Sequence, residues 1–460
     1  MKLNRREFLT NTALLGVGGT IGAVPFLDSY SKNTDMKEIL DIIDRNMPSI
    51  IDIVKDIGEH PELGYKEFRT SGIVNDFLRQ SDYTTETNLA ITGIKTKLKE
   101  KSEGPNIALI GELDGIPCPE SSKADKITGA THNCGHNLQL GVMMAVAQAF
   151  KQSGISSVLG GNVSFIAAPA EEYIELDFRS ELKRSGKISY FGGKQEMVKC
   201  GVFDDINAAM MIHSVSNVAL PVAVIVRGGN GFTAEKINYI GKTAHAAASP
   251  EEGINALHAA ILGINNVNAM REVFKDGDHS RVHYIITKGG DAVNSVPADV
   301  RMECFVRSYT VESIKNLLEK TNRAFTAGGD AIGAKTEIEI LSGYMPLACN
   351  EQINKVFAEN AEKFMTKMQI VPLDNFNGST DMGDISQLMP AIHPLSGGVK
   401  GSLHAADFEV VDYKAAITIP AKIAALTIID LLKDDATKMK QILKGYKPLM
   451  TKEKYLELLK

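Results

Sequence analysis

The chain has no tryptophan, which decides nothing about mechanism, and neither an internal repeat nor a low-complexity tract. Its 5 cysteines (Cys118, Cys134, Cys200, Cys304 and Cys349) are odd in number and widely scattered. That excludes a disulfide framework as the basis of the fold, even in an oxidising compartment. At least one thiol must stay unpaired within the chain. Cys134 is the best placed to be a ligand, and the other four read as small buried apolar residues. A formal charge of −6 gives no reason to expect a nucleic-acid partner. With 44% hydrophobic and 23% charged residues the composition is that of a soluble globular protein. At 460 residues it exceeds what one core usually supports, so two domains are expected.

Long apolar runs are also scarce. The weakly apolar segment from about Ala13 to Leu27 is too short for a membrane-spanning helix. A basic region followed by an apolar one describes an export signal, here residues 1–35. Asn4-Arg5-Arg6-Glu7-Phe8-Leu9 resembles the twin-arginine signal of bacteria, which implies a periplasmic protein exported already folded. An ordinary secretory signal or an uncleaved anchor is the other reading, and no clear cleavage site is present. No membrane partner is expected of the mature form.

Beyond the signal, helical spacing covers residues 36–58 until His60-Pro61-Glu62 breaks it, and a second helix covers about 67–80. From Lys95 to Ile212, strands alternate with helical segments, notably Asn137–Lys151 and Lys194–Lys199. That alternation predicts an α/β fold with a mostly parallel sheet flanked by helices. The rhythm changes near residue 229. Strands at Phe232–Ile240, Val282–Thr287, Val300–Val306 and Glu337–Leu341, with helices at Pro250–Val273 and Val311–Ala327, give the order of a ferredoxin-like α+β sandwich. Helices at Gln352–Lys367 and Tyr413–Leu432 return to the first pattern. The reading is a discontinuous catalytic domain (36–228 and 344–433), an inserted satellite or dimerisation domain (229–343) and a charged surface tail (434–460).

Three short apolar runs stop on acids or histidine. Ile107–Ile110 runs into Glu112 and Asp114, Val163–Ala167 into Glu171 and Glu172, and Ala208–Ile212 into His213. Buried parallel strands read as such runs, and open α/β sheets carry their chemistry at the carboxyl ends of strands. Between them lies Cys134-Gly135-His136. Residues two apart lie on opposite sides of a helix, so both can face one ion only from a turn, which Gly135 permits. Two adjacent carboxylates after an apolar strand repel unless protonated or held by cations. A metal resolves that conflict, with one glutamate binding it and the other acting as general base. A Cys-x-His pair alone is a weak signal, and a lone histidine such as His213 is more often packing than ligand. His404 also reads as a surface-loop residue, and spacing gives His245 no role.

Taken in order, His60-Pro-Glu-Leu-Gly64, Gly111-Glu-Leu-Asp-Gly-Ile-Pro117, Asn133-Cys-Gly-His-Asn137, Pro169-Ala-Glu-Glu172, Met197–Phe203, His213, Gly241-Lys-Thr-Ala-His245, Asn294-Ser-Val-Pro297, Gly378-Ser-Thr-Asp381 and His404 resemble one family. It is the aminoacylase/carboxypeptidase superfamily of two-metal amidohydrolases, in the branch of the aminobenzoyl-glutamate hydrolase B subunit. The resemblance implies two divalent ions, Mn²⁺ or Zn²⁺, held by Cys134, His136, Glu172, His213 and His404, with Cys134 bridging. It implies Glu171 as general base and Asp114 as the residue orienting a ligand imidazole. His245 would steady the oxyanion in a partner subunit's site, in a homodimer or a heteromer with a related subunit. Asn294 and Arg307 would anchor the substrate carboxylate, for which Arg offers a bidentate fork. The implied substrates are N-acyl amino acids, with p-aminobenzoyl-glutamate leading. A dipeptidase acting on unusual dipeptides and an inactive metal-binding scaffold are the alternatives. Asn137 and Gln139 stand where many relatives have Asp and His, and the role of His132 stays open.

Overall fold

The computed structural model describes residues 34–459. The export-signal reading falls outside them, apart from the first two residues of the opening helix.

In chain order, α1 (Thr34–Glu59) and α2 (Phe68–Gln80) precede β1 (Thr85–Leu89), β2 (Gly93–Lys97) and β3 (Asn106–Glu112). Then come α3 (His136–Ser153), β4 (Asn162–Ala168), α4 (Gly193–Lys199) and β5 (Ala208–Met211). The middle of the chain supplies β6 (Gly231–Ile240), α5 (Ala256–Ala269), β7 (Arg281–Lys288), β8 (Asp299–Ser308), α6 (Val311–Ile332) and β9 (Lys335–Leu341). The end supplies α7 (Glu351–Ala361), α8 (Met382–Leu388), β10 (Ala391–Ile392) and α9 (Ile419–Gly445).

The main sheet has strand order β1-β2-β4-β3-β5-β10. β4, β3, β5 and β10 run parallel, while β1 and β2 form an antiparallel edge. Every residue of β3 and β4 is buried, as expected of strands covered on both faces. α3 is apolar almost all round because α1 and α9 pack on it from outside while β3 lies beneath. Gly154, left-handed at φ 67°, ends it. A second, mixed sheet of four short strands pairs His213–Ser214 with Leu395–Ser396, which fixes where His213 stands.

β6 to β9 with α5 and α6 follow the order β-α-β-β-α-β, and their antiparallel sheet runs β7-β8-β6-β9. α5 and α6 pack on this sheet around Tyr239, Val300, Met302 and Phe325, a core separate from that of the main sheet.

The structure corrects several boundaries. The helix expected over 250–273 is only α5, flanked by single turns at Pro250–Glu252 and Arg271–Val273. Asn255 sets its start by accepting bonds from the N–H groups of Leu257 and His258, and apolar spacing does not register a cap. Similarly, the helix expected to reach Lys367 stops at Ala361, although apolar residues continue to a buried Met365. Within the segment read as a tail (434–460), residues 434–459 are not solvated throughout. Met439 and Ile442 join the main core, and fully buried Tyr455 donates its hydroxyl to Asp384 Oδ1 at 2.8 Å. All five cysteines are free thiols, but Cys200 is exposed and Cys349 only partly buried, against the expectation of four buried ones.

Candidate metal centre

Glu112 ends β3, Glu171 and Glu172 follow β4 after Pro169-Ala170, and His213 lies two residues beyond β5. These positions share the carboxyl edge of the parallel sheet. Gly135 takes φ 83° at the cap of α3, and the turn it makes lets Cys134 and His136 face the same space. A side chain at 135 would also strike Ser214 Oγ at 2.7 Å. His404 reaches the site because two bonds tie its loop to residue 133. His404 N–H donates to Asn133 O at 2.9 Å, and Asn133 Nδ2 donates to Ala405 O at 2.8 Å. His404 itself adopts φ 64°, and its side chain is 48% exposed, so the site opens to solvent on that side.

Two donor triads result, each with its ligand atoms within 4.8 Å of one another: Cys134, His136 and His213; and Cys134, Glu172 and His404. Cys134 Sγ lies 3.3 Å from His213 Nε2 and 3.2 Å from His404 Nε2, and His404 Nε2 is 3.1 Å from Glu172 Oε1. His136 Nε2 and Glu172 Oε1 are buried without a hydrogen-bond partner, although a polar atom lies near each. Buried polar atoms that face one another without bonding are suited to a shared cation. Sulfur and imidazole donors favour zinc, while the carboxylate also admits manganese.

Asp114 organises both triads. Its Oδ1 and main-chain oxygen lie 3.2 and 2.8 Å from His136 Nδ1, and its Oδ2 accepts the Glu172 N–H at 2.9 Å. Further contacts hold the backbone of the acid pair. Glu67 accepts the Ala170 N–H at 2.8 Å, Arg179 donates to Glu172 O at 2.5 Å, and Tyr344 hydroxyl donates to Glu171 O.

Electrostatics separate the two glutamates. Burial alone would raise Glu172, but His404 beside it holds its carboxyl down at about 2. Burial, reinforced by Glu112, Glu172 and Asp381, keeps Glu171 well above the usual carboxylate range. Burial and Glu172 push the Cys134 thiol up, yet the imidazoles of His136, His213 and His404 bring it to about 6. The Glu172 carboxylate, followed by the Cys134 thiolate, pushes His404 up to about 12.

The structure thus gathers Asp114, Cys134, His136, Glu171, Glu172, His213 and His404, from positions up to 290 apart in numbering, into one place. It does not bring in His245 or Asn294. Both are exposed, and His245 Nδ1 accepts from the N–H groups of Ala247 and Ala248. Arg307 lies over the rings of Phe232 and Phe305, centroids 5.5 and 5.3 Å away, and those rings pack on Tyr173 next to Glu172.

Sequence reading missed a buried charge network below the triads. Fully buried Lys194, on α4, donates to Glu112 Oε1 and to Asp381 Oδ1, each at 2.5 Å. The one available signal was Asp381 at the end of the Gly-Ser-Thr-Asp motif, since nothing local to Lys194 names its partners. Against burial, Lys194 holds Glu112 down at about 2. Lys194→Met should lower unfolding free energy by about 3–5 kcal/mol, the cost of stranding buried partner charges. Denaturant midpoints measure this, and a loss under ~1 kcal/mol is evidence against a charged pair.

Two donor triads at the carboxyl edge of a parallel sheet, with a protonatable carboxylate alongside, define a metal-dependent hydrolase. The chain belongs to peptidase family M20/M25/M40, whose model matches residues 108–429. It is 27% identical over 350 residues to the Xaa-Arg dipeptidase of Mus musculus, covering 73% of each chain. It is 25% identical to the N-acetyl-L-cysteine deacetylase of Bacillus subtilis, covering 75% of this chain and 80% of that one. Among solved structures it resembles a dinuclear metal-binding M20 peptidase of Bacillus subtilis (TM-score 0.63, 20% identity, covering 85% of this chain and 99% of that one). It also resembles an aminobenzoyl-glutamate utilization protein of Klebsiella pneumoniae (TM-score 0.62, 18% identity, covering 85% and 97%). The protein is a metal-dependent amide hydrolase.

Proposed function

We propose that the enzyme cleaves the amide of small N-acyl amino acids, with p-aminobenzoyl-glutamate the leading substrate. The observation that carries the chemistry is Glu171: a buried carboxyl held above its usual range beside two donor triads. Cys134, His136 and His213 would hold one divalent ion, and Cys134, Glu172 and His404 the other. When bound, such ions supply Lewis acidity toward the scissile carbonyl and make a nearby water more acidic. Glu171 takes the proton of the attacking water and returns it to the leaving amine. Asp114 fixes the His136 ring and the Glu172 backbone. His245, exposed on this chain, serves the oxyanion of a partner subunit's site in a dimer, and Asn294 and Arg307 receive the substrate carboxylate. Export to the periplasm follows from the sequence signal.

A second reading, a dipeptidase, is favoured by the 27% identity to an Xaa-Arg dipeptidase. Turnover of p-aminobenzoyl-glutamate, N-acetyl amino acids and a dipeptide panel with Mn²⁺ and Zn²⁺ separates the two. Preference for acyl amino acids by about tenfold or more in kcat/KM supports the first, and preference for dipeptides supports the second. His245→Ala and Glu171→Gln, each inactive alone, should recover activity when mixed and reassembled. No recovery would sink the shared-site role of His245.

A further inference from the structure

The motif His60–Gly64 has no part in the assignments above, yet the segment it opens reaches the residue that precedes Glu171. Glu62 serves the open N-terminus of α2, its carboxylate accepting the N–H groups of Arg69 and Thr70 at 3.0 and 2.8 Å. Its main-chain oxygen accepts the Gly115 N–H at 2.7 Å, next to Asp114. These bonds place Glu67, which immediately precedes α2 and is fully buried. Glu67 Oε1 accepts the Ala170 N–H at 2.8 Å, and its Oε2 accepts the Thr92 hydroxyl at 2.8 Å. Ala170, also fully buried, takes φ 50°. A left-handed conformation is strained for a residue with a Cβ and persists only where its surroundings enforce it. Because Ala170 directly precedes Glu171, its backbone sets the direction in which Glu171 leaves the end of β4.

We infer that Glu67 is a positioning residue for the general base: its carboxylate holds Ala170 left-handed and thereby aims the Glu171 carboxyl at the metal centre. This rests on Glu171 being the base. Rotation at Ala170 moves the peptide groups on its two sides relative to one another. Glu67 holds the first through the Ala170 N–H, and Gly193 holds the second, donating to Ala170 O at 3.1 Å. The next two peptide groups are held separately, by the Tyr344 hydroxyl on Glu171 O and by Asp114 Oδ2 on the Glu172 N–H. Gly64, the last residue of the motif, lets the chain pack on this turn, because a side chain there would meet Ala170 Cα at 2.9 Å. Without Glu67 the buried Ala170 N–H loses its acceptor, and a buried donor in that state is costly. The turn then relaxes toward negative φ, which carries Glu171 away from His136 Nε2, 3.9 Å from its Oε2.

Steady-state kinetics of the metal-loaded full chain test this in two backgrounds. Glu67→Met fills the space without offering an acceptor. It should lower kcat by about 10–100-fold, with KM within about twofold and both ions bound. Glycine adopts positive φ at no steric cost, so Ala170→Gly removes the strain that Glu67 opposes. In an Ala170→Gly background the loss from Glu67→Met should be at least about fivefold smaller. A general loss of packing would not distinguish the two backgrounds. A kcat loss under about tenfold in the parent chain, or one that Ala170→Gly reduces by less than about fivefold, overturns the inference. So does a loss that lies in KM or in metal content. Glu67→Asp, with the charge kept and the reach shortened, supplies the same comparison should Glu67→Met fail to fold. Wild-type turnover by Glu171→Gln overturns the base assignment and this inference with it. An inactive Glu171→Gln with equal Glu67 losses in both backgrounds overturns this inference alone.

Discussion

Glu171→Gln is expected to cut turnover by about two to four orders of magnitude while both ions stay bound. The two glutamates differ by one sequence position, but their surroundings differ in kind. Glu172 Oε1 stands 3.1 Å from His404 Nε2, and that imidazole keeps it ionised down to about 2. Glu171 is crowded by Glu112, Glu172 and Asp381 in a buried setting, so its carboxyl retains a proton far more readily. A carboxyl raised above its usual range is suited to take up a proton, and one held ionised is suited to bind a cation. Glutamine keeps the shape and the neutral charge of protonated Glu171, so folding and metal content should not change. Single-turnover rates with metal analysis of the same sample provide the check. Loss of an ion from this variant would exchange the roles of Glu171 and Glu172.

Removing metal should have the other large effect. Treatment with a chelator is expected to abolish activity and lower the melting temperature, and Zn²⁺ or Mn²⁺ should restore both. Free metal at 100 times its Kd contributes about 2.7 kcal/mol to stability per site. The pH dependence has a definite sign. In the metal-free site His404 is pushed up to about 12 by Glu172, and His136 well above its ordinary value by Cys134 and Glu112 despite burial. These rings therefore carry protons at neutral pH, and a cation must displace them. Affinity should rise with pH, and calorimetry in buffers of different ionisation enthalpy should register proton release. Equal heats in all buffers would contradict the sign. Activity that survives exhaustive chelation would contradict the metal centre.

Legibility in the sequence followed the physics of each element. β3 and β4 were readable because burial on both faces demands unbroken apolar runs, and the acids beyond them stood out against that background. The Cys134-Gly135-His136 turn was readable because residues two apart on a helix lie on opposite sides, and Gly135, at φ 83°, permits the turn that lets both face one space. Helix ends were read poorly where a side-chain cap sets them, as Asn255 does for α5. The segment after 434 was misread because a charged sequence hides the few residues, Met439, Ile442 and Tyr455, that anchor it.

The order of strands and helices, the β-α-β-β-α-β middle segment and the residue types of the donor set were determined by the sequence, since hydrophobic period and donor chemistry are local properties. The convergence of His404 on Cys134 across 270 positions was decided only by the tertiary structure. So was the burial of Lys194 between Glu112 and Asp381. The reason is that a charge finds its counter-charge through space. Lys194 and Asp381 are 187 residues apart, and only the packing of α4 against the start of α8 makes them neighbours.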